Sequence, residues 1–149
     1  MSDIRIAEKS DVNLIMEFIK GIASYEKLLN EVKATPELLE EWLFEKKTGE
    51  VAFIMEKNKE VGFVLYFHNF STFVGKAGMY IEDLFVFPEY RGKGYGKALI
   101  NHVIDKARSE GLGRVEWTCL DWNTPSIEFY KSMGAKAMDE WTNFRITLD

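Results

Sequence analysis

Residues 80–100 read YIEDLFVFPEYRGKGYGKALI, and they hold two features that could do chemistry. The run 80–87 mixes aromatic and branched residues, a composition that suits a half-buried strand, yet Glu82 and Asp83 interrupt it. An acid at the edge of such a strand can take a proton from a bound group. Behind Pro88 comes Arg91-Gly-Lys-Gly-Tyr-Gly-Lys97, with glycines at 92, 94 and 96. Glycines let backbone N–H groups turn inward and approach a ligand closely. An amphipathic helix beginning near Lys97 adds unpaired N–H groups and a partial positive charge. Strand, glycine loop and helix start together make an anion site, most often one for phosphate. A three-glycine loop alone could be an ordinary turn, but its place between strand and helix favours a pyrophosphate cradle. A nucleotide P-loop needs a different glycine spacing followed by Lys-Ser/Thr, and the third glycine of a dinucleotide fingerprint would fall on Lys97.

Tyr130 and Asn123 are further candidates. Tyr130 lies six positions after Thr124 on the last helix, as a proton donor or as a packing residue. Asn123 is a helix cap, a ligand contact, or both. Cys119 is the single cysteine; a strand setting makes it a buried, inert thiol and leaves no internal disulfide. His68 and His102 lie in a strand and on a polar helix face, without partners that suggest a metal or a triad, and no metal-ligand cluster is present. Trp117 and Trp122 fit a core as well as a pocket.

Those residues need a scaffold, and size allows one. A chain of 149 residues makes one domain, expected over residues 1–149, that buries about two-thirds of its unfolded surface. Hydrophobic content of 46% and aromatic content of 14% exclude disorder. A net charge of -5 argues against broad nucleic-acid binding and suits cationic ligands. No apolar stretch reads as a signal peptide or a membrane span, so a cytoplasmic protein is expected.

Along the chain, residues 4–7 alternate as a first strand, and Ser10 or Asp11 caps a helix carrying Val12, Ile15, Ile19, Ile22 and Ala23. Thr35-Pro36-Glu37 opens a second helix with Leu38, Leu39, Trp42 and Leu43 as its buried stripe. Strands at 51–55 and 61–67 flank a hairpin turn at Lys57-Asn58-Lys59, and 69–78 is a connection before the strand at 80. A third helix carries Leu99, Ile100, Val103, Ile104 and Ala107 and ends at Gly111. A strand at 114–120, a helix opening at Asn123-Thr124-Pro125-Ser126, and two strands at 136–141 and 143–148 complete the chain. The order β-α-α-β-β-β-α-β-α-β-β predicts an α/β fold: a mixed, mostly antiparallel sheet of about seven strands with helices on both faces. One parallel pair is expected between residues 80 and 120.

Arg91-x-x-Gly94-x-Gly96 resembles the coenzyme A loop of the GCN5-related N-acetyltransferase (GNAT) superfamily. Tyr25-Glu26, the Val61-Gly-Phe strand, Tyr80-Ile-Glu82-Asp83, the glycine loop and Asp121-Trp-Asn123-Thr-Pro-Ser-Ile-Glu-Phe-Tyr130 recur in that order. Over nearly its whole length the chain is similar to the diamine (spermidine/spermine) acetyltransferase branch, whose sister enzymes prefer thialysine and other small amines. The resemblance implies acetyl-CoA as cofactor, a small cationic amine as acceptor, a homodimer, and direct transfer in a ternary complex.

Such a reaction poses three problems. An alkylammonium with a pKa of about 10.4 cannot attack until a base takes its proton. By resemblance Glu82 is that base, acting through water; otherwise it is an inward carboxylate fixed by pairing. A developing oxyanion wants backbone N–H donors. The resemblance places them on a bulged strand at Leu84, Phe85 and Val86, beside the pantetheine arm. The leaving thiolate must be neutralised, and by resemblance Tyr130 is the acid. Ordinary values of about 10 for tyrosine and about 8.5 for a thiol make full transfer uphill by roughly 2 kcal/mol, so Tyr130 needs a dipole or cation, or only hydrogen-bonds the sulfur. The resemblance assigns the cofactor to Arg91, Gly92, Lys93, Gly94, Tyr95, Gly96, Lys97, Asn123, Ser126 and Tyr130. It assigns the acceptor to Tyr25, Glu26, Glu82, Asp83 and Glu140, although the spacing before Glu140 is shorter than in the branch. Two other readings remain open: the same transfer to a protein amine or an aminoglycoside, and a non-catalytic acyl-CoA-binding module.

Overall fold

A two-residue turn at Lys57-Asn58, both with positive φ (49° and 64°), joins β2 (Glu50–Glu56) to β3 (Lys59–Ser71). Paired left-handed residues match the twist of the strands they connect, so this tight turn sets the first two pairs of the hairpin, and an extra residue at Val61 shifts the register from Ile54–Gly62 onward. The structure, a computed structural model, describes residues 3–148. It forms two units, up to Trp117 and from Thr118 onward, and each is described by itself.

In the first unit β1 (Asp3–Ile6), β2, β3, β4 (Lys76–Val86) and β5 (Val115–Trp117) lie in the order β1-β2-β3-β4-β5. All pairs are antiparallel except β4 with β5, the expected parallel pair. Residues 69–78, read as a connection, instead extend β3 and open β4 as a long hairpin. The helix α3 (Tyr95–Ser109) covers one face, burying Leu99, Ile100, Val103 and Ala107. Its partners across that face include Val64, Tyr66, Met79, Ile81 and Val86. The other face packs Phe53, Phe63 and Phe85 against Ile15 and Phe18 of α1 (Val12–Tyr25). Asp11 precedes α1 but its carboxylate is taken by Arg5 and by the Glu8 N–H, not by the helix.

The second helix starts as expected: the Thr35 hydroxyl accepts from Leu38 N–H, with Pro36 in the first turn. Only four residues of α2 (Pro36–Leu39) are α-helical, and Glu40–Glu45 continues as a wider π-helical turn. That change of pitch rotates the stripe, so Leu39 and Leu43 pack inward while Leu38 and Trp42 are exposed.

In the second unit α4 (Thr124–Ser132) is opened by Asn123, whose side chain accepts from Ser126 N–H at 3.4 Å. Gly134, at φ 91°, turns the chain out of it. The two strands expected at 136–141 and 143–148 do not form, and the described sheet has five strands instead of about seven. Phe144, Ile146 and Leu148 do alternate with polar residues, yet they are almost fully exposed. Alternation suits a strand only where a neighbouring strand supplies the ladder, and none of the described residues does so here. Cys119 also departs from expectation: it follows β5, not within it, and is half-buried.

Candidate active site

The central fact of the first unit is a bulge in β4. Leu65 of β3 pairs with Asp83, but the next residue, Tyr66, pairs with Ile81, so Glu82 is an extra residue without a partner. The bulge inverts the alternation of the strand. Met79 and Ile81 face α3 before it, and Leu84 and Val86 face α3 after it. Asp83 falls opposite Leu65, and Phe85 packs on the α1 side. Without the extra residue one of these two apolar pairs would face the wrong layer. Glu82 itself is exposed at the kink. The ladder of β4 with β5 ends at Ile81–Trp117, whereas 83–86 stay paired with β3 on the other side. Past the kink, then, backbone groups of β4 directed away from β3 have no β5 partner. Leu84, Phe85 and Val86 lie in that segment, where an extended ligand could pair in strand fashion.

Directly after β4 the loop takes two left-handed glycines, Gly92 (φ 80°) and Gly94 (φ 85°), and Gly94 precedes the first turn of α3. The helix starts at Tyr95, two residues earlier than Lys97, so Tyr95, Gly96 and Lys97 form its first turn. A Cβ built on Gly92, Gly94 or Gly96 would meet no heavy atom within 4 Å. The loop backbone therefore has open space beside these three glycines, next to the start of α3.

Two of the loop's basic side chains have partners within the chain. Arg91 donates from Nε to the Val86 carbonyl at 2.9 Å, and its guanidinium lies 5.0 Å from the Tyr25 ring and 5.1 Å from that of Phe85. Glu56, a residue that sequence reasoning missed, receives both Lys93 Nζ (2.9 Å) and the Tyr95 hydroxyl (2.6 Å). It ties the loop to the β2–β3 hairpin, and nothing in its sequence neighbourhood announces the role. Lys97 is exposed and enters no ion pair among the described residues.

Three of the acceptor candidates, Glu26, Glu82 and Asp83, feel one another's charge at the kink. Gly21 of α1 lets the helix sit close to β4, since a Cβ there would come within 2.8 Å of the Phe85 ring. That approach brings the end of α1, Tyr25 and Glu26, towards Asp83. Burial pushes the Glu26 carboxyl up. Burial, then the charges of Glu82 and Glu26, push Asp83 up to about 7 from its ordinary 3.8. Three carboxylates in one field repel each other until a cation arrives. The folded chain keeps a proton on Asp83 that the unfolded chain releases near pH 3.8, so this group's contribution to stability falls as pH rises to about 7 and is flat above. Thermal melts across pH 5–8 should show that decline, and Asp83→Asn should flatten it and raise Tm at pH 8 by several degrees. A variant that melts in parallel with the parent at every pH would remove Asp83 from this account.

In the second unit Asn123 is buried and caps α4, and Ser126 lends its N–H to that cap. Tyr130 is half-buried on α4 beside Phe129, with ring centroids 5.6 Å apart. Glu140 lies in an exposed turn, outside any strand. Trp122 is exposed, whereas Trp117 packs against the α3-side core. Among the described residues no group of His, Cys, Asp and Glu could hold a metal, and no helix is long and apolar enough to cross a membrane.

The family described as the acetyltransferase (GNAT) family matches residues 19–135. A thialysine N-epsilon-acetyltransferase of Sus scrofa is 35% identical over 158 aligned positions, covering 95% of this chain and 90% of the relative. The L-ornithine N5-acetyltransferase NATA1 of Arabidopsis thaliana is 46% identical over 100 residues, which span 65% of this chain but only 44% of that protein. Among solved structures, an integron cassette protein from the mobile metagenome of V. cholerae superimposes with a TM-score of 0.81 at 28% identity, covering 99% of this chain and 93% of the other. An aminoglycoside acetyltransferase from an uncultured soil sample reaches a TM-score of 0.82 at 22% identity, covering 99% and 97%, a likeness of fold. With a bulged β4, an open glycine loop and a family match over most of its length, the chain belongs to the GNAT family: it is an N-acetyltransferase that takes its acetyl group from acetyl-CoA.

Proposed function

We propose that the acceptor is a primary amine of a small polyamine, diamine or thialysine-like molecule, acetylated by direct transfer. One observation carries the reading: Glu26, Glu82 and Asp83 share one electrostatic field at the kink of β4, where burial first, and the charges of Glu82 and Glu26 second, push the Asp83 carboxyl up to about 7. A molecule with two positive centres relieves that repulsion while placing one nitrogen at Glu82. The named activities of the thialysine and ornithine acetyltransferases point the same way.

Bound acetyl-CoA supplies an acyl group activated as a thioester. In this reading the chain supplies everything else. N–H groups at Gly92, Gly94 and the first turn of α3 hold the pyrophosphate, with Lys97 as counter-charge. The edge of β4 from Leu84 to Val86 that has no β5 partner aligns the pantetheine arm and donates to the acetyl oxygen, beside the Val86 carbonyl that Arg91 holds. Glu82 accepts the ammonium proton through water, Asn123 reaches the arm as well as capping α4, and the Tyr130 hydroxyl donates to the sulfur. Tyr25, Glu26 and Asp83 hold the distal end of the amine, and Glu140 is the weakest member of that set. Cys119 is not needed as a nucleophile. We place the enzyme in the cytoplasm as a homodimer, in keeping with its single cysteine and its branch.

An acceptor screen following release of free coenzyme A thiol tests the assignment. Spermidine, putrescine, thialysine and ornithine should be turned over at least about tenfold more efficiently than a lysine peptide or an aminoglycoside. The reverse order would move the chain to protein amines or aminoglycosides. Tight acetyl-CoA binding with no turnover on any amine would make it a binding module.

A further inference from the structure

What fixes the bulge at Glu82, and not one residue earlier or later? The ladders on either side pair 83–86 with 62–65 and 76–81 with 66–71, and backbone hydrogen bonds alone tolerate a shift of the extra residue along β4. A shift would turn Glu82 or Asp83 into another layer. The register must therefore be held by side chains at the step, and Tyr66 is the residue on β3 where it changes.

Tyr66 is 1% exposed, under α3. Its hydroxyl donates to Oε1 of Glu50, which is also its direct cross-strand neighbour on β2. His102 of α3 places Nε2 3.4 Å from the same hydroxyl, with the rings edge-on at 6.1 Å between centroids. Lys106, one turn on along α3, lies 3.8 Å from Glu50. Burial and the Glu50 carboxylate keep the phenol protonated, so it stays a donor. Burial likewise favours the neutral His102 imidazole. One phenol is thus held by β2 and α3 at the point where β3 changes partner on β4. The helix that holds it is the one that begins at the glycine loop.

The geometry points to Tyr66, fixed by Glu50 and His102, as a positioning residue that locks the β4 bulge at Glu82 and so couples the acceptor carboxylates to the register of the sheet. The catalytic consequence rests on the reading of Glu82 as base; the lock itself does not. Tyr66→Phe removes only the hydroxyl and keeps the packing. Glu50→Ala removes the acceptor from a half-exposed position, and Glu50→Gln keeps one.

Hydrogen exchange read by mass spectrometry on peptides spanning 80–87 tests the lock directly. In Tyr66→Phe and Glu50→Ala exchange there should be about tenfold faster or more, with β1 and the turn end of the β2–β3 hairpin (54–62) unchanged and Glu50→Gln like the parent. Turnover at saturating substrates should fall about tenfold or more, with KM for acetyl-CoA within about twofold. Unchanged exchange at 80–87 in both folded variants overturns the proposal, as does acceleration spread over the whole sheet, which would mean ordinary loss of stability. Faster local exchange with parental turnover upholds the lock and counts against Glu82 as base.

Discussion

Glu82→Gln should lower turnover by about 10² to 10³-fold, with acetyl-CoA affinity within about threefold of the parent. Glutamine keeps the shape and the exposed place at the bulge but accepts no proton. The amine would then have to reach the site already neutral, and at pH 7 only a small fraction of an alkylammonium with a pKa of about 10.4 is so. The variant should therefore regain rate steeply with pH, close to tenfold per unit below pH 9, while the parent profile is flatter. Initial rates of thiol release between pH 6.5 and 9.5 decide it. A parental rate at pH 7 would leave Glu82 as a structural carboxylate of the kink.

Tyr130→Phe should lower turnover by about 10²-fold and leave acetyl-CoA binding unchanged. The ring, its packing beside Phe129 and the α4 backbone survive the change, so a loss confined to turnover isolates the hydroxyl. Because a thiol of pKa about 8.5 leaves as a stable thiolate in alkaline solution, the deficit should shrink above pH 9. Isothermal titration with acetyl-CoA beside steady-state rates separates the two effects. Equal losses in affinity and rate would make Tyr130 a cofactor contact only, and an unchanged rate would remove it from the chemistry.

The two variants differ in their pH signatures for a reason of charge. In the proposed reaction one group would receive a proton from an acid far weaker than itself, and the other would give a proton to a base weaker than its own anion.

What the residues decided alone was local. Gly92, Gly94 and Gly96 between an apolar run and an amphipathic helix read as a cradle because φ above zero and a helix start depend on a few neighbouring residues. Thr35-Pro36 and Asn123-Thr124-Pro125 marked helix starts for the same reason, and both cap as written. The succession of elements as far as β5 was legible too, and with it the one parallel pair. The long-range commitments were decided by tertiary structure. No pattern places the extra residue of β4 at Glu82, because a bulge is a relation between two strands and only the pairing of Leu65 and Tyr66 reveals it. Nothing near Glu56 or Tyr66 in the chain announces a partner 39 or 36 residues away. Asp83 reads as an ordinary acid until burial and two like charges are brought to it. The alternation at 143–148 promised a strand that does not form among the described residues, since a strand exists only where another chain segment completes its hydrogen bonds.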